Sequence, residues 1–379
     1  MVTGVLPAKY FTPGPKTNKR ELFDREKELS ELIDALKGDD KLVLVTGIRR
    51  MGKTSLIKVA LNESNIPNIY IDLRKADSYE DAALLSLLSD GLNSLLPAHS
   101  RLIEYLGSLR GVSVGEVAVS FNLRTQKPSI TRLLDKLDEW ADSEKHPVVI
   151  ALDEAQELRF YKGRYDFPKI IAYSFDNHRW VKFLVSGSEV GLLYSTLGFD
   201  DAKSPLYGRH RRVIQLERFP LDLAKRFLRE GFMQEGVLVE DWVVDKACEA
   251  FDGIVGWLAF YGYEVVNRVK AGRQVGAEIL DEILNEAVEM MKQELESVRR
   301  LSEFYIVVLR ILSKEEKTWS DIKKELILST GRSIANSQLS RILRNLEKLS
   351  YVGRSNGNYR LLDNLVGLAA SRMRNVSTR

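Results

Sequence analysis

The segment GIRRMGKTSL, residues 47–56, decides the fold that we expect for this chain of 379 residues. Gly47, Gly52, Lys53 and Thr54 fit the pattern G-x-x-x-x-G-K-[ST] without a mismatch. The pattern needs glycines so that backbone N–H groups can face a phosphate, a lysine that reaches the β- and γ-phosphates, and a hydroxyl for Mg²⁺. An apolar run, KLVLVTG, leads into the loop, and a helix-forming run, KTSLIKVALNES, leads out of it. The segment therefore predicts a site for ATP or ADP with Mg²⁺ between a buried strand and a helix.

The whole loop is expected to surround the phosphates, through Gly47, Ile48, Arg49, Arg50, Met51, Gly52, Lys53, Thr54 and Ser55. Three of these, Arg49, Arg50 and Met51, occupy positions that the pattern leaves unconstrained, where side chains point away from the phosphates. We interpret the two arginines as solvent-exposed, with contact to a lid or a partner as the alternative.

A pair of carboxylates forms the second part of the predicted site. The apolar run VVIALDEAQ, residues 148–156, ends in Asp153 and Glu154. Ligands of parallel sheets bind outside the carboxyl ends of the strands, so both side chains are expected near the loop. Asp153, with Thr54, is expected to hold Mg²⁺, and Glu154 to orient and deprotonate the attacking water. Together with Lys53 as a second catalytic group, the pair predicts ATP hydrolysis.

The order of apolar strands and helices predicts an α/β fold. Strands alternate with helices over residues 1–219, which is typical of a parallel sheet covered by helices on both faces. Residues 220–297 show only helical stretches, and residues 298–379 show three helices followed by a hairpin. We therefore expect a P-loop core at 1–219, an all-helical lid at 220–297 and a winged helix-turn-helix domain at 298–379.

The last of these domains is basic. Residues 298–379 hold 16 Lys or Arg and 7 Asp or Glu, a net charge of +9, which leaves −6 on the preceding 297 residues. We expect its first helix from Val298, with Leu301 on the buried face, and Ser320 as the N-cap of its second helix. Asn356-Gly357 predicts the turn of a hairpin. Contact with duplex DNA is expected from the third helix and the wing, through Arg341, Arg344, Lys348, Arg354 and Arg360; docking to protein is the alternative.

Composition excludes several other classes of protein. The longest apolar run, FYIVVLRIL, is interrupted by Arg310 and is much shorter than the roughly 20 residues of a membrane span. A single cysteine, Cys248, excludes an internal disulfide. The N-terminal segment lacks the pattern of a secretory signal. We therefore expect a cytoplasmic protein that has no contact with a membrane.

The motifs together resemble the archaeal ATPases of the P-loop class, which are placed with the AAA+ proteins and the signal-transduction ATPases with numerous domains. The segments FDREKEL, GIRRMGKTSL, LDEAQEL and LVSGSEVGLL carry the resemblance. It implies that Phe23 and Arg25 help to enclose the adenine, and that Ser186 or Ser188 is a sensor of the phosphate. Where the family usually has a proline that touches the base, this sequence has Val255.

The resemblance also extends to the segment SPLYGRHRRVIQL, residues 204–216, and so nominates Arg209. In related ATPases an arginine at this place contacts the γ-phosphate, often that of a neighbouring subunit, which implies a homo-oligomer. A surface salt bridge is the alternative for Arg209.

Three functions remain open from the sequence. The first is an ATP-driven switch that associates with DNA through its winged helix. The second is a signalling scaffold ATPase whose winged helix binds protein. The third is a P-loop kinase of small molecules, which fits less well because Glu154 suits the activation of water.

Overall fold

The computed structural model describes residues 9–115, 118–121 and 128–373. The chain divides into two compact units. The core unit comprises Pro15–Gly47 and Lys53–Leu216, and the lid–wing unit comprises Met1–Gly14, Ile48–Gly52 and Glu217–Arg379. The middle of the phosphate loop thus groups with the lid–wing unit, although both ends of the loop group with the core unit. The division into three domains at residues 219/220 and 297/298 stays a prediction.

The core unit alternates strands and helices, as predicted. In chain order its elements are α1 Glu26–Lys37, β1 Leu42–Thr46, α2 Lys53–Ser64, β2 Asn68–Asp72, α3 Asp81–Leu95, α4 Leu102–Leu106, β3 Val112–Val114, β4 Val119–Phe121, α5 Ile130–Glu144, β5 Val148–Asp153, α6 Phe167–Asn177, β6 Val181–Gly187, α7 Val190–Leu197 and β7 Arg212–Gln215. Strands β3 and β4 pair as an antiparallel hairpin. For residues 112–122 the sequence predicts a strand or a hairpin, and residues 116, 117 and 122 of this segment lie outside the described residues.

Five strands form one parallel sheet in the order β2-β5-β6-β1-β7. Every residue of β1, β5 and β6 is buried, which explains why their sequences are nearly continuous apolar runs, interrupted within β6 by Lys182 and Ser186. Apolar side chains of α3 and α5 pack against the strands, and Trp140 of α5 is only 1% exposed. Since all five strands run in the same direction, their carboxyl ends meet at one edge, and the phosphate loop follows β1 at that edge.

The lid–wing unit is helical up to the winged helix. Its elements are α8 Leu221–Gln234, α9 Asp241–Phe251, α10 Val255–Lys270, α11 Ala277–Arg299, α12 Glu303–Leu312, β8 Lys317–Thr318, α13 Trp319–Thr330, α14 Asn336–Lys348, β9 Val352–Ser355, β10 Asn358–Leu361 and α15 Asn364–Arg372. We call α8–α11 the lid helices. Strand β10 pairs antiparallel with both β8 and β9. Helices α12–α14 with this sheet form the winged helix-turn-helix.

Asn356 and Gly357 both have positive φ, at 50° and 86°, as the predicted hairpin turn requires. Three expectations for the winged helix are wrong, two that concern its first helix and one that concerns the N-cap of its second helix. Helix α11 extends through Val298 to Arg299, and the first helix of the winged helix begins only at Glu303. Leu301 therefore lies in the turn between two helices and is 66% exposed.

The N-cap of α13 is Thr318 and not Ser320. Thr318 pairs with Asn358 in the small sheet, so its backbone is extended, and its hydroxyl accepts the N–H of Asp321 at 3.2 Å. The sequence also gave no sign of α15, which Asp363 caps by accepting the N–H of Leu365 at 2.8 Å.

Among the described residues, no helix is long and apolar enough to cross a membrane.

Candidate nucleotide site

The two glycines of the phosphate loop occupy backbone conformations that other residues avoid. Gly47 has φ of 141°, and a Cβ built on it would lie 2.7 Å from the carbonyl oxygen of Leu216. Gly52 has φ of 87°. A side chain at Gly47 would therefore clash with the backbone of Leu216, which explains why a glycine is found there.

Lys53 is the first residue of α2 and is only 4% exposed. Its Nζ donates a hydrogen bond of 2.9 Å to the carbonyl oxygen of Gly47, which closes the two ends of the loop toward each other. The ammonium thus lies beside the N-terminus of α2, and the N-terminus of a helix favours an anion. This is the location that the sequence predicts for the phosphate-binding lysine.

Asp153, at the carboxyl end of β5, is 1% exposed and accepts hydrogen bonds from three hydroxyl groups. Thr54 Oγ1 donates to Asp153 Oδ2 at 2.8 Å, Tyr70 donates to the same oxygen at 2.6 Å, and Ser186 donates to Oδ1. Burial, together with the charge of Asp153, raises the pKa of Tyr70. The structure therefore brings together the two predicted metal-binding residues, and it adds Tyr70, which sequence reasoning missed.

Oxygen atoms of a hydroxyl and a carboxylate are the donors that Mg²⁺ prefers. Among the described residues no group of three or more His, Cys, Asp or Glu side chains could hold a metal ion. Proteins hold Mg²⁺ through one or two side chains together with phosphate oxygens and water. Thr54 and Asp153 fit this mode of binding.

Glu154 follows Asp153 in a left-handed backbone conformation, with φ of 56°. Its Oε2 accepts hydrogen bonds from Ser188 Oγ at 2.7 Å and from Gln156 Nε2 at 2.5 Å. Burial opposes ionisation, but the Lys53 ammonium and these two donors outweigh it, so the pKa of Glu154 is lower than usual. Glu154 is therefore a carboxylate at neutral pH, and its direction is fixed by two neighbours.

Arg74 is a further cation at this edge that sequence reasoning missed. It follows β2 and binds Asp72 through Nε and Nη2, at 2.9 and 2.8 Å. Its charge also lowers the pKa of Glu154. A motif search has no reason to select it, because its position depends on strand β2 lying beside β5.

Comparison with known proteins agrees with this geometry. The profile described as an ATPase domain predominantly from Archaea matches residues 22–259. The Walker-type ATPase of Pyrococcus abyssi is similar to this chain, with 30% sequence identity and a TM-score of 0.78. The similarity covers 95% of this chain and 99% of that one.

The chain belongs to this family of archaeal ATPases. It is an ATP hydrolase. Residues 300–362 match the MCM protein C-terminal winged helix-turn-helix domain. The fold is also similar to that of the Aeropyrum pernix ORC2 protein in its ADPNP–ADP complexes, with 14% identity, a TM-score of 0.63 and 95% coverage of each chain. Among curated proteins, none matches the chain.

The residues predicted around the adenine of this archaeal ATPase lie in both units. Phe23 and Arg25, each 7% exposed, belong to the core unit, where Arg25 Nη1 donates to Glu28 at 2.8 Å. Ser55, which is predicted at the phosphates and not at the adenine, also lies in the core unit, where its Oγ accepts the backbone N–H of Lys16 at 3.0 Å. Val255 belongs to the lid–wing unit, where a Cβ built on Gly52 would lie 3.7 Å from Val255 Cγ1. Contact of these residues with a nucleotide remains a prediction.

Arg50 is not solvent-exposed as we interpreted it, because its side chain is 24% exposed, whereas the side chain of Arg49 is 42% exposed. Both donate to the carboxylate of Glu294 on α11, Arg49 at 3.2 Å. The guanidinium of Arg50 also lies 3.9 Å from the ring centroid of Trp257 on α10. The structure therefore shows contact of both arginines with the lid helices, which was the alternative interpretation. Met51 is buried, and Ile48 is half-buried.

Arg209 forms an ion pair within the core unit. Its Nε and Nη2 donate to Asp176 at 3.2 and 2.6 Å, at the C-terminal end of α6. A role at the γ-phosphate would require release of this pair, and it stays a prediction.

The basic residues of the winged helix differ in exposure. Arg341, Arg344, Arg354 and Arg360 are exposed, whereas Lys348 is half-buried. Arg354 also lies 5.3 Å from the ring centroid of Tyr359 on the wing. Four guanidinium groups of α14 and the wing are thus accessible.

Proposed function

We propose that this archaeal ATPase is a Mg²⁺-dependent, nucleotide-driven switch that associates with duplex DNA through its winged helix. The observation that carries the enzymatic part is the hydrogen bond of 2.8 Å between Thr54 and Asp153, beside the buried Lys53. Bound Mg²⁺ would supply charge neutralisation at the phosphates. Lys53 binds the β- and γ-phosphates, and Thr54 and Asp153 hold the metal.

Glu154 orients the water that attacks the γ-phosphate. Its lowered pKa makes it a weak base, which suits a loose transition state in which positioning of the water contributes more than early proton removal. Ser188 and Gln156 fix its direction, because both donate to the same oxygen. Ser188, one of the two predicted sensor residues, thus contacts the carboxylate of Glu154 directly.

The DNA-associated part rests on charge. The net charge of +9 on residues 298–379 and the exposed arginines of α14 and the wing favour a polyanion. In a winged helix the third helix is the element that enters a major groove, while the wing contacts the backbone. Contacts with the phosphates give binding that depends on salt and not on base sequence. The proposal therefore does not require recognition of a particular DNA sequence.

A protein partner is the second candidate, in line with a scaffold ATPase. Met233, Leu238 and Trp242 of the lid helices and the turn between them are 75%, 96% and 42% exposed. A contiguous patch of exposed apolar side chains is typical of a surface that binds protein, and these three lie close together in the sequence.

The experiment that separates the two is ATP hydrolysis by the purified chain with Mg²⁺, measured with and without duplex DNA at two salt concentrations. Stimulation by DNA that fades as salt rises supports the proposal. Hydrolysis that is indifferent to DNA at both salt concentrations contradicts the DNA-associated part and favours a protein partner. Loss of hydrolysis on chelation, restored by added Mg²⁺, tests the metal separately.

A further inference from the structure

The middle of the phosphate loop is held by the lid helices through its backbone. Arg50 has φ of 67°, a left-handed conformation that costs a non-glycine residue energy. Its carbonyl oxygen accepts the N–H of Gly256 at 2.8 Å. A Cβ built on Gly256 would lie 2.6 Å from Cβ of Arg50, so the first turn of α10 lies directly against the loop. Only surrounding contacts keep such a conformation populated.

The side chain of Arg50 adds two of these contacts. The guanidinium lies over the ring of Trp257, which is 2% exposed. The edge of the guanidinium forms an ion pair with the carboxylate of Glu294. Burial opposes ionisation of Glu294, but Arg50 and Arg49 outweigh it and lower the pKa of Glu294. A planar guanidinium that stacks on a ring and binds a carboxylate uses geometry that lysine lacks.

Trp257 connects this contact to the end of the winged helix. Its Nε1 donates a hydrogen bond of 2.9 Å to Asp363 Oδ2. The other carboxylate oxygen of Asp363 accepts the N–H of Leu365 in the first turn of α15. Asp363 is 8% exposed, so this carboxylate has little access to water. Helix α15 packs on α12 of the winged helix and on α11 of the lid.

We propose that Arg50 and Trp257 are positioning residues that couple the phosphate loop to the winged helix. Arg50 holds the loop in its left-handed conformation, and Trp257 passes a displacement of the loop to Asp363 and so to α15. A position that the phosphate-loop pattern leaves unconstrained thus carries this connection. The coupling rests on the proposed binding of nucleotide by the loop.

Two substitutions separate the two links of this connection. Arg50→Met keeps an unbranched, flexible side chain and the backbone cost of positive φ, but it removes the charge and the stacking plane. We expect Mg²⁺–ADP to bind about fivefold more weakly, because a desolvated cation–π contact and an ion pair no longer hold the loop. Trp257→Phe keeps an aromatic face beneath Arg50 and removes only the N–H, so affinity should change by less than about threefold.

The readout is amide hydrogen exchange of residues 356–372 in the full chain, without and with saturating Mg²⁺–ADP. In the wild type ADP should slow exchange at the start of α15. Trp257→Phe should abolish that slowing at saturation, and Arg50→Lys should reduce it, because lysine pairs with Glu294 but does not stack. Arg273→Met is the matched control, since Arg273 pairs with Glu282 in the same unit.

The outcomes distinguish the coupling from the proposed nucleotide site. If calorimetry shows no binding of ADP to the folded wild type, the nucleotide site and the coupling both fail. If ADP binds but exchange at α15 does not respond, or responds equally in Trp257→Phe, only the coupling is overturned. Unchanged affinity in Arg50→Met overturns the role of Arg50.

Discussion

Thr54 Oγ1 lies 2.8 Å from Asp153 Oδ2, although the two residues are 99 positions apart in the sequence. The contact arises because β1 and β5 flank β6 in one parallel sheet and end at the same edge. Tyr70, in the middle of β2, and Ser186, near the end of β6, bind the same carboxylate. Four elements therefore fix the location of the proposed metal site.

The hydrogen bond from Ser188 to Glu154 predicts a pH effect. Glu154 has a lowered pKa, so its active carboxylate form is present above that pKa and is lost as pH falls through it. Ser188→Ala removes a donor to the carboxylate, which raises the pKa and moves the acid limb of the kcat profile to higher pH. On the plateau kcat should fall about fivefold, the effect of a net hydrogen bond.

The matched control is Ser143→Ala, because Ser143 Oγ donates only to the carbonyl oxygen of Trp140 within α5. Its pH profile should coincide with that of the wild type. An acid limb that stays in place in Ser188→Ala would show that Glu154 does not govern it.

The ion pair between Arg209 and Asp176 allows a test of the predicted catalytic arginine. Arg209→Ala and Asp176→Ala both remove the pair, so their melting temperatures should fall alike. If Arg209 acts on ATP, kcat falls on the order of 10³-fold in Arg209→Ala and stays near the wild-type value in Asp176→Ala. Equal turnover in the two variants would leave Arg209 with the structural role only.

Mixing the variants tests whether Arg209 acts between subunits. A chain with Glu154→Gln keeps its arginine but cannot activate water. Added to Arg209→Ala in a demonstrated oligomer, it should restore part of the turnover. No restoration would argue for a role of the arginine within its own subunit, or for no role in turnover.

The exposed arginines of α14 predict the salt dependence of DNA binding. Replacing Arg341 and Arg344 together with Gln should weaken duplex binding about tenfold and lower the slope of log K against log salt by about 2. Fluorescence anisotropy with a labelled duplex at several salt concentrations measures both. Arg226→Gln, an exposed arginine of α8, serves as the control and should leave both unchanged. An unchanged slope in the double variant argues against contact through α14.

The strands and the phosphate loop could be predicted because their signals are local. The buried strands β1, β5 and β6 are nearly continuous apolar runs, and the glycines of the loop are required by backbone conformation at their own positions. The third helix of the winged helix shows its buried face directly through Leu339, Ile342, Leu343 and Leu346.

The features that were missed depend on partners far away in the sequence. Thr318 caps α13 because β10 holds it extended, whereas Ser320 fits the capping pattern equally well in the sequence alone. The partner of Arg50 is Glu294, and that of Trp257 is Asp363, more than 100 positions away. Nothing local in the sequence distinguishes such residues from solvent-exposed or core side chains.

The most direct test of the account compares ATP binding and turnover in the wild type, Glu154→Gln and Lys53→Ala. We expect Glu154→Gln to bind Mg²⁺–ATP within about threefold of the wild type and to lose turnover by about 10²- to 10⁴-fold, since only the water-activating group is removed. Lys53→Ala should lose binding itself, because the buried ammonium of the loop is gone. Hydrolysis at the wild-type rate by Glu154→Gln would contradict the assignment on which the proposed mechanism rests.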